Sequence, residues 1–394
     1  MIGSEKRYQA FLDSRAREGL RRFLLCVAAG EARTLAAEGG SYVNFSSNDY
    51  LGLRFNAALI ERAMAWAKEW GVGSGASRLV TGNLDLFRPI EAKLARLKGK
   101  QAALVMASGF QTNAAALHAL LDRSVLGAEP LVFADRLNHA SMHFGCEAAG
   151  ARQIRYRHGD AAHLGELLDR HEGDDRPKFI LTESVFSMDG DIAPLGEIAR
   201  LARAHEASLI VDDAHATGIL GEAGSGLSGE ADIVIGTFSK ALGSFGGFVA
   251  SNEKVRDYLI NRCAGVIYST ALPPPVLGAV DAALDIVPGM DAERAYVAKL
   301  AERFRTGARA SGLDIGRSTT QIVPILVGQP EAALTLSGRL REAGLWATSI
   351  RPPAVPPGTA RLRLAFTAAH QDADVDRLLE VLSAKDAARR ARAV

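Results

Sequence analysis

Six short aliphatic runs, each closed by a polar or glycine-rich stretch, constrain this chain more than any other feature. They are Ala102–Met106, Leu131–Ala134, Phe179–Thr182, Ser208–Val211, Asp232–Ile235 and Gly247–Ala250. Runs this short, bounded this way, read as buried strands. Helical segments lie between most of them, which predicts an α/β fold with a mainly parallel sheet covered on both faces. Open sheets of this kind bind ligands beyond the carboxyl ends of their strands. The polar residues directly after each run are therefore the first candidates for a site.

Two such exits carry unusual chemistry. Val211-Asp-Asp-Ala-His-Ala-Thr-Gly218 places Asp212 at the end of one run, and Thr237-Phe-Ser-Lys240-Ala-Leu-Gly243 places Lys240 just after the next. Taken singly, a lysine after a strand is usually solvated, and an aspartate there commonly caps a turn. At neighbouring strand ends the two match what pyridoxal 5'-phosphate needs. The lysine amine holds the cofactor aldehyde, and the carboxylate keeps the ring nitrogen protonated so that the ring accepts electrons. Gly243, Gly246 and Gly247 allow backbone to approach a ligand closely.

Other strand exits extend this constellation. Ser108-Gly-Phe-Gln-Thr-Asn113 opens a helix, where backbone N–H groups can hold a phosphate. Gly109 and Phe110 sit at that turn, and Thr237 could add a hydroxyl to the same phosphate. His139, in Asp135-Arg-Leu-Asn-His139-Ala-Ser141, could stack on a pyridine ring. Ser187 and His215 could each reach a phenolic oxygen on that ring, whereas Asp189-Gly190 reads as a turn. In Arg361-Leu-Arg363, two arginines share one face of an expected half-buried strand, and either could bind a substrate carboxylate. Arg21 and Arg22 could meet phosphates, a distal carboxylate or water.

Lys+Arg 46 against Asp+Glu 45 leaves no global field to recruit nucleic acid or an anionic membrane. No apolar stretch is long enough to span a bilayer. Cys26, Cys146 and Cys263 are too scattered for a disulfide framework or a metal site. The expected location is the cytoplasm. Three parts are expected: an N-terminal helix and strand segment (1–55), a large α/β domain (56–285) and a small α+β domain (286–394). Within them, residues 4–38 read as helix, 275–311 as one long helix, and the basic tail Lys385–Arg392 as a solvated helix end.

The chain resembles the α-oxoamine synthases, fold-type I pyridoxal-phosphate enzymes, over nearly its whole length. The resemblance rests on Asn44-Phe-Ser-Ser-Asn-Asp-Tyr-Leu-Gly-Leu53, Gly73-Ser-Gly-Ala-Ser-Arg-Leu-Val-Thr-Gly82, Val185-Phe-Ser-Met-Asp-Gly190, Asp212-Asp-Ala-His215 and Thr237-Phe-Ser-Lys240. It implies a seven-stranded sheet and a decarboxylative condensation of an amino acid with an acyl thioester. The nearest member type implies L-alanine and a pimeloyl thioester, as in biotin biosynthesis. Glycine acetyltransferase or long-chain serine palmitoyltransferase chemistry is the alternative. It also implies a homodimer in which Ser269-Thr270 reaches the partner's cofactor phosphate. Arg363, rather than Arg361, matches the residue that binds the amino-acid carboxylate, and Asn48 matches a substrate contact. Ser77 stands where glycine-specific members place threonine, which implies an amino acid larger than glycine. Phe87 replaces a common histidine and Ala216 a common glycine or serine.

Overall fold

A computed structural model describes residues 3–390, with side chains through Ser383. The far end of the basic tail, beyond Arg390, lies outside the described residues. The chain divides into two compact units, Asn48–Ser187 with Asp191–Ala295, and Met1–Ser47 with Met188–Gly190 and Tyr296–Val394.

The larger unit is built on seven strands: β1 (Ala102–Met106), β2 (Leu131–Asp135), β3 (Gln153–Tyr156), β4 (Lys178–Glu183), β5 (Ala207–Asp212), β6 (Ile233–Thr237) and β7 (Gly247–Ser251). Their order is β1-β7-β6-β5-β4-β2-β3. All neighbours are parallel except β7, which runs antiparallel to both β1 and β6. The sequence did not signal β3, an edge strand whose Arg155 is exposed and whose burial is partial. Its polar residues lack the aliphatic run that marks the inner strands.

Phe133, Ile180, Leu181, Ile210, Val211 and Val234 are fully buried between the helical layers. Each such side chain contributes about 1.5–3 kcal/mol by leaving water. A one-residue slip of any inner strand would turn its side chains to the opposite face. The register is thus fixed tightly, and it sets Glu183 beside Asp212 as Cα partners at the ends of β4 and β5. Asp212 and Thr237 are the last residues of their strands rather than the first residues beyond them.

A helix at Ala57–Trp70 is capped by Asn56, whose side chain accepts the N–H of Ala58. The single helix expected over 275–311 is broken into Pro274–Ile286 and Asp291–Ala310, with a 3-10 turn at Val287–Gly289. Pro288 cannot donate to the helical ladder, and Gly289 adds no side chain to hold it.

In the smaller unit the first helix covers only Glu5–Arg17 and buries no residue. The chain leaves it at Gly19, whose φ of 65° lies in the left-handed region. Strands Val27–Ala28, Thr34–Ala37 and Gly40–Asn44 then form a sheet, which Leu345–Trp346 joins in parallel. Residues 1–47 therefore share a unit with the C-terminal part, while Asn48 to Phe55 belong to the larger one. Ile322–Gly328, Ala360–Ala365 and Thr348–Ile350 make a second sheet. Among the described residues, no helix is long and apolar enough to cross a membrane.

Candidate active site

A cavity of about 230 Å³ lies at the carboxyl ends of β1, β2, β4, β5 and β6. Its wall includes Gly109, Phe110, His139, Asp212, His215, Thr237 and Lys240, all named by the sequence patterns.

Asp212 is held by two donors. Its Oδ2 accepts from Asn113 Nδ2 at 2.6 Å, and its Oδ1 accepts from the backbone N–H of Ala214 at 3.0 Å. Asn113 uses its second amide hydrogen on Ser141 Oγ at 3.0 Å. Ser141 Oγ lies 2.6 Å from His139 Nδ1, and the Ser141 backbone N–H also points at that nitrogen. An Nδ1 receiving a backbone N–H is an acceptor, so the neutral ring carries its proton on Nε2. Desolvation by the surrounding walls holds the His139 pKa below its ordinary value; Asp212 opposes this and Lys240 reinforces it. His139 thus presents a neutral, solvent-reachable aromatic face to the cavity.

The opposite wall is the start of helix Gly109–Leu120. Ser108, with extended backbone, accepts the Gln111 N–H on its hydroxyl. The first N–H groups of the helix have no intrahelical partner and carry the positive end of its dipole. Thr237 Oγ1 lies against them, anchored by donation to the Gly246 carbonyl at 2.7 Å. A Cβ on Gly109 would sit 3.2 Å from Thr237, so glycine keeps this corner open. Gly247 is packed more closely still. A Cβ there would come within 2.4 Å of Thr112 Oγ1 and 2.9 Å of Ser108 backbone.

His215 is fixed from behind by Tyr50, whose hydroxyl is 2.7 Å from His215 Nδ1 and donates to Asn48 Oδ1 at 3.2 Å. Beneath the Asp212–His215 turn, Lys98 is buried with Nζ 2.6 Å from each of Asp213 Oδ2, Thr217 Oγ1 and the Ser225 carbonyl. His158 joins two further turns. Its Nδ1 is 3.1 Å from Asp135, at the root of the His139 turn, and its Nε2 is 3.0 Å from Asp191. Burial alone would lower the His158 pKa, but the two carboxylates outweigh it and push the value up to about 9.

Residues 41–382 match the aminotransferase class I and II family. The chain belongs to that family. It is 53% identical to the 8-amino-7-oxononanoate synthase of Gluconacetobacter diazotrophicus over 387 residues, 97% of each chain. A serine palmitoyltransferase from S. paucimobilis, solved with bound PLP–myriocin aldimine, shares the fold with a TM-score of 0.91 at 27% identity. That likeness covers 98% of this chain and 99% of the other. An 8-amino-7-oxononanoate synthase from Francisella tularensis matches with a TM-score of 0.77 at 26% identity, over 89% of this chain and 99% of that one.

Several expected residues of this family member lie outside the cavity wall. Ser187 is buried in the turn after β4 and is not among the lining residues. Thr270 is exposed; it bridges to Ser77 and lines a separate narrow cleft with Arg78 and Phe87. Phe87 is buried, and the Arg78 guanidinium stacks over its ring at 4.2 Å. Arg363 and Arg361 sit in the strand Ala360–Ala365, which is buried at every residue rather than half-buried. Arg361 has an internal anion, Asp189 at 2.7 Å, so the Asp189-Gly190 turn is also one half of an ion pair. Arg22 is exposed, and its charge adds to burial in lowering the pKa of Arg351.

Asn113, Ser141, Tyr50 and Glu183 were not singled out by the sequence patterns. Glu183 carried a readable signal, since it directly follows an aliphatic run as Asp212 does. Asn113 is one helical turn beyond Gly109 and so shares its face.

Proposed function

We propose that the chain condenses L-alanine with a pimeloyl thioester, CoA or carrier-protein bound, releasing carbon dioxide, free thiol and 8-amino-7-oxononanoate. One observation carries this reading. A single cavity gathers Lys240, Asp212, His139 and an open helix N-terminus, in a chain 53% identical to a named 8-amino-7-oxononanoate synthase over nearly its full length. The cavity suits pyridoxal 5'-phosphate. It offers an amine, a carboxylate accepting from two neutral donors, a neutral aromatic face and a corner of N–H groups that a Cβ at Gly109 would crowd. Bound there, the cofactor supplies an aldehyde and an electron-accepting ring.

The residues divide the work. Lys240 removes the Cα proton of the amino acid and later returns one, as a positioned general base and acid. Asp212 keeps a proton on the ring nitrogen by charge. His139 would meet the ring face, and Ser187 and His215 would hold its phenolic oxygen. Gly109, Phe110 and Thr237 take the phosphate, joined by Thr270 of a second copy in a homodimer. Arg363 and Asn48 bind the amino-acid carboxylate, Ser77 leaves room for a methyl group, and Arg22 meets the acyl donor. The exposed Phe110, Phe144, Phe245 and Tyr268 of the larger unit support an apolar dimer face. The balanced charge suits work in the cytoplasm.

The test is thiol release by purified, PLP-loaded protein given pimeloyl-CoA with L-alanine, glycine or L-serine. Release with alanine, and its loss in Lys240→Ala, is expected. Release with serine and a long-chain acyl-CoA alone would overturn the pimeloyl reading in favour of palmitoyltransferase-like chemistry.

A further inference from the structure

Glu183 is the one acid of the cavity wall to which the reaction above gives no task. It is 3% exposed and lines the cavity, and its Oε1 is buried without a hydrogen-bond partner. The sheet register sets it directly beside Asp212. Asp212 already has the two donors that favour a carboxylate, Asn113 and the Ala214 N–H. Two adjacent buried carboxylates do not both ionise readily.

We propose that Glu183 works as a neutral carboxylic acid in the cavity wall, its carboxyl donating to the group bound there. The surroundings agree. Burial raises the Glu183 pKa well above its ordinary value, and Asp212 on β5 and Asp135 on β2 add to it. Lys240, after β6, and the His139 N–H act the other way without reversing the direction. His139 is itself neutral, so it supplies no cation to hold a carboxylate. A proton on the carboxyl removes the charge from a group whose buried Oε1 has no partner to stabilise it. An unmet buried group of this kind is otherwise costly. Glu183 thereby lets Asp212 act as the site's only carboxylate.

The inference rests on the cavity's binding pyridoxal phosphate, which the unaltered protein tests first by its absorbance on titration with the cofactor. Failure there would sink the cofactor reading itself. Given binding, Glu183→Gln preserves one donor and one acceptor without a charge, whereas Glu183→Leu removes both. E183Q is expected to bind PLP within about threefold of the parent, and E183L at least about tenfold more weakly. The dependence of PLP affinity on pH between 5.5 and 8 should superimpose for parent and E183Q. Equal weakening in both variants would show that an ionised carboxylate is needed, and normal binding by both would show no role; either overturns the proposal. If E183L does not fold, the pH comparison decides. A limb present in the parent and absent from E183Q would overturn the assignment, and superimposed profiles would uphold it.

Discussion

Replacing Lys98 by methionine should destabilise the larger unit by about 3–5 kcal/mol, the usual cost of removing one partner from a buried ion pair. Lys98 Nζ has three oxygen partners at 2.6 Å, and the Lys98 and Asp213 side chains are 1% and 0% exposed. At an effective dielectric of about 20, the attraction across 2.6 Å is roughly 6 kcal/mol. Desolvating each ion costs several kcal/mol, so the intact pair adds little net stability. Its removal is another matter, because Asp213 stays buried with only the N–H of Leu227 and the Thr217 hydroxyl to meet it. Methionine fills a similar volume without charge. Urea unfolding of the cofactor-free protein, followed by circular dichroism, gives the change without the stabilisation that bound ligand adds. The double variant Lys98→Met/Asp213→Asn should recover at least half of the loss, a coupling of about 2 kcal/mol. A single variant within about 1 kcal/mol of the parent would refute the reasoning, since the carboxylate would then have found another partner.

Two further perturbations probe the turns around the cavity. Asp212→Asn keeps the shape of the side chain but removes its charge, so turnover should fall about a hundredfold or more, the scale of losing one preorganised electrostatic partner; turnover within threefold of the parent would count against its role. His158, raised from 6.5 to about 9 by Asp135 and Asp191, contributes stability that is fully present below pH 6.5 and lost as pH rises through about 9. The difference of about 2.5 pH units corresponds to roughly 3 kcal/mol. Thermal denaturation between pH 6 and 10 should show that alkaline loss in the parent, and a flat profile in His158→Gln would confirm its source. An identical loss in both proteins would assign it elsewhere.

The inner strands were legible because burial on both faces leaves an unbroken aliphatic run, and the exits of β5 and β6 were legible because an acid and a lysine at neighbouring strand ends match one chemistry together, though neither does alone. β3 was not, because an edge strand with exposed Arg155 has no such run. The strand at Gly40–Asn44 falls where Ser41–Phe45 reads as a strand, but Thr34–Ala37 was hidden inside the stretch read as helix, because it owes its conformation to pairing with Gly40–Asn44. The cavity's own set was read from residues of reactive type. Its supports, Asn113, Ser141 and Tyr50, are ordinary residues whose value lies only in where the sheet brings them. Arg361 and Arg363 could not be told apart by spacing, and no local pattern signalled the Asp189 partner of Arg361.

The same logic explains the charge pattern at the carboxyl ends of the strands. Asp135, Glu183, Asp191, Asp212 and Asp213 are all buried there, while the mostly buried cations beside them are Lys98 and His158, with Lys240 partly open to the cavity. Lys98 answers Asp213, and His158 answers Asp135 and Asp191 together. Asp212 is met by neutral donors and faces the cavity, where a protonated ring nitrogen would complete it. Glu183 has neither a paired cation nor the two donors that meet Asp212. A carboxyl group in that position lowers its cost by keeping its proton. Neutral Glu183 and charged Asp212 thus follow from one register, two strand ends and an unequal share of donors.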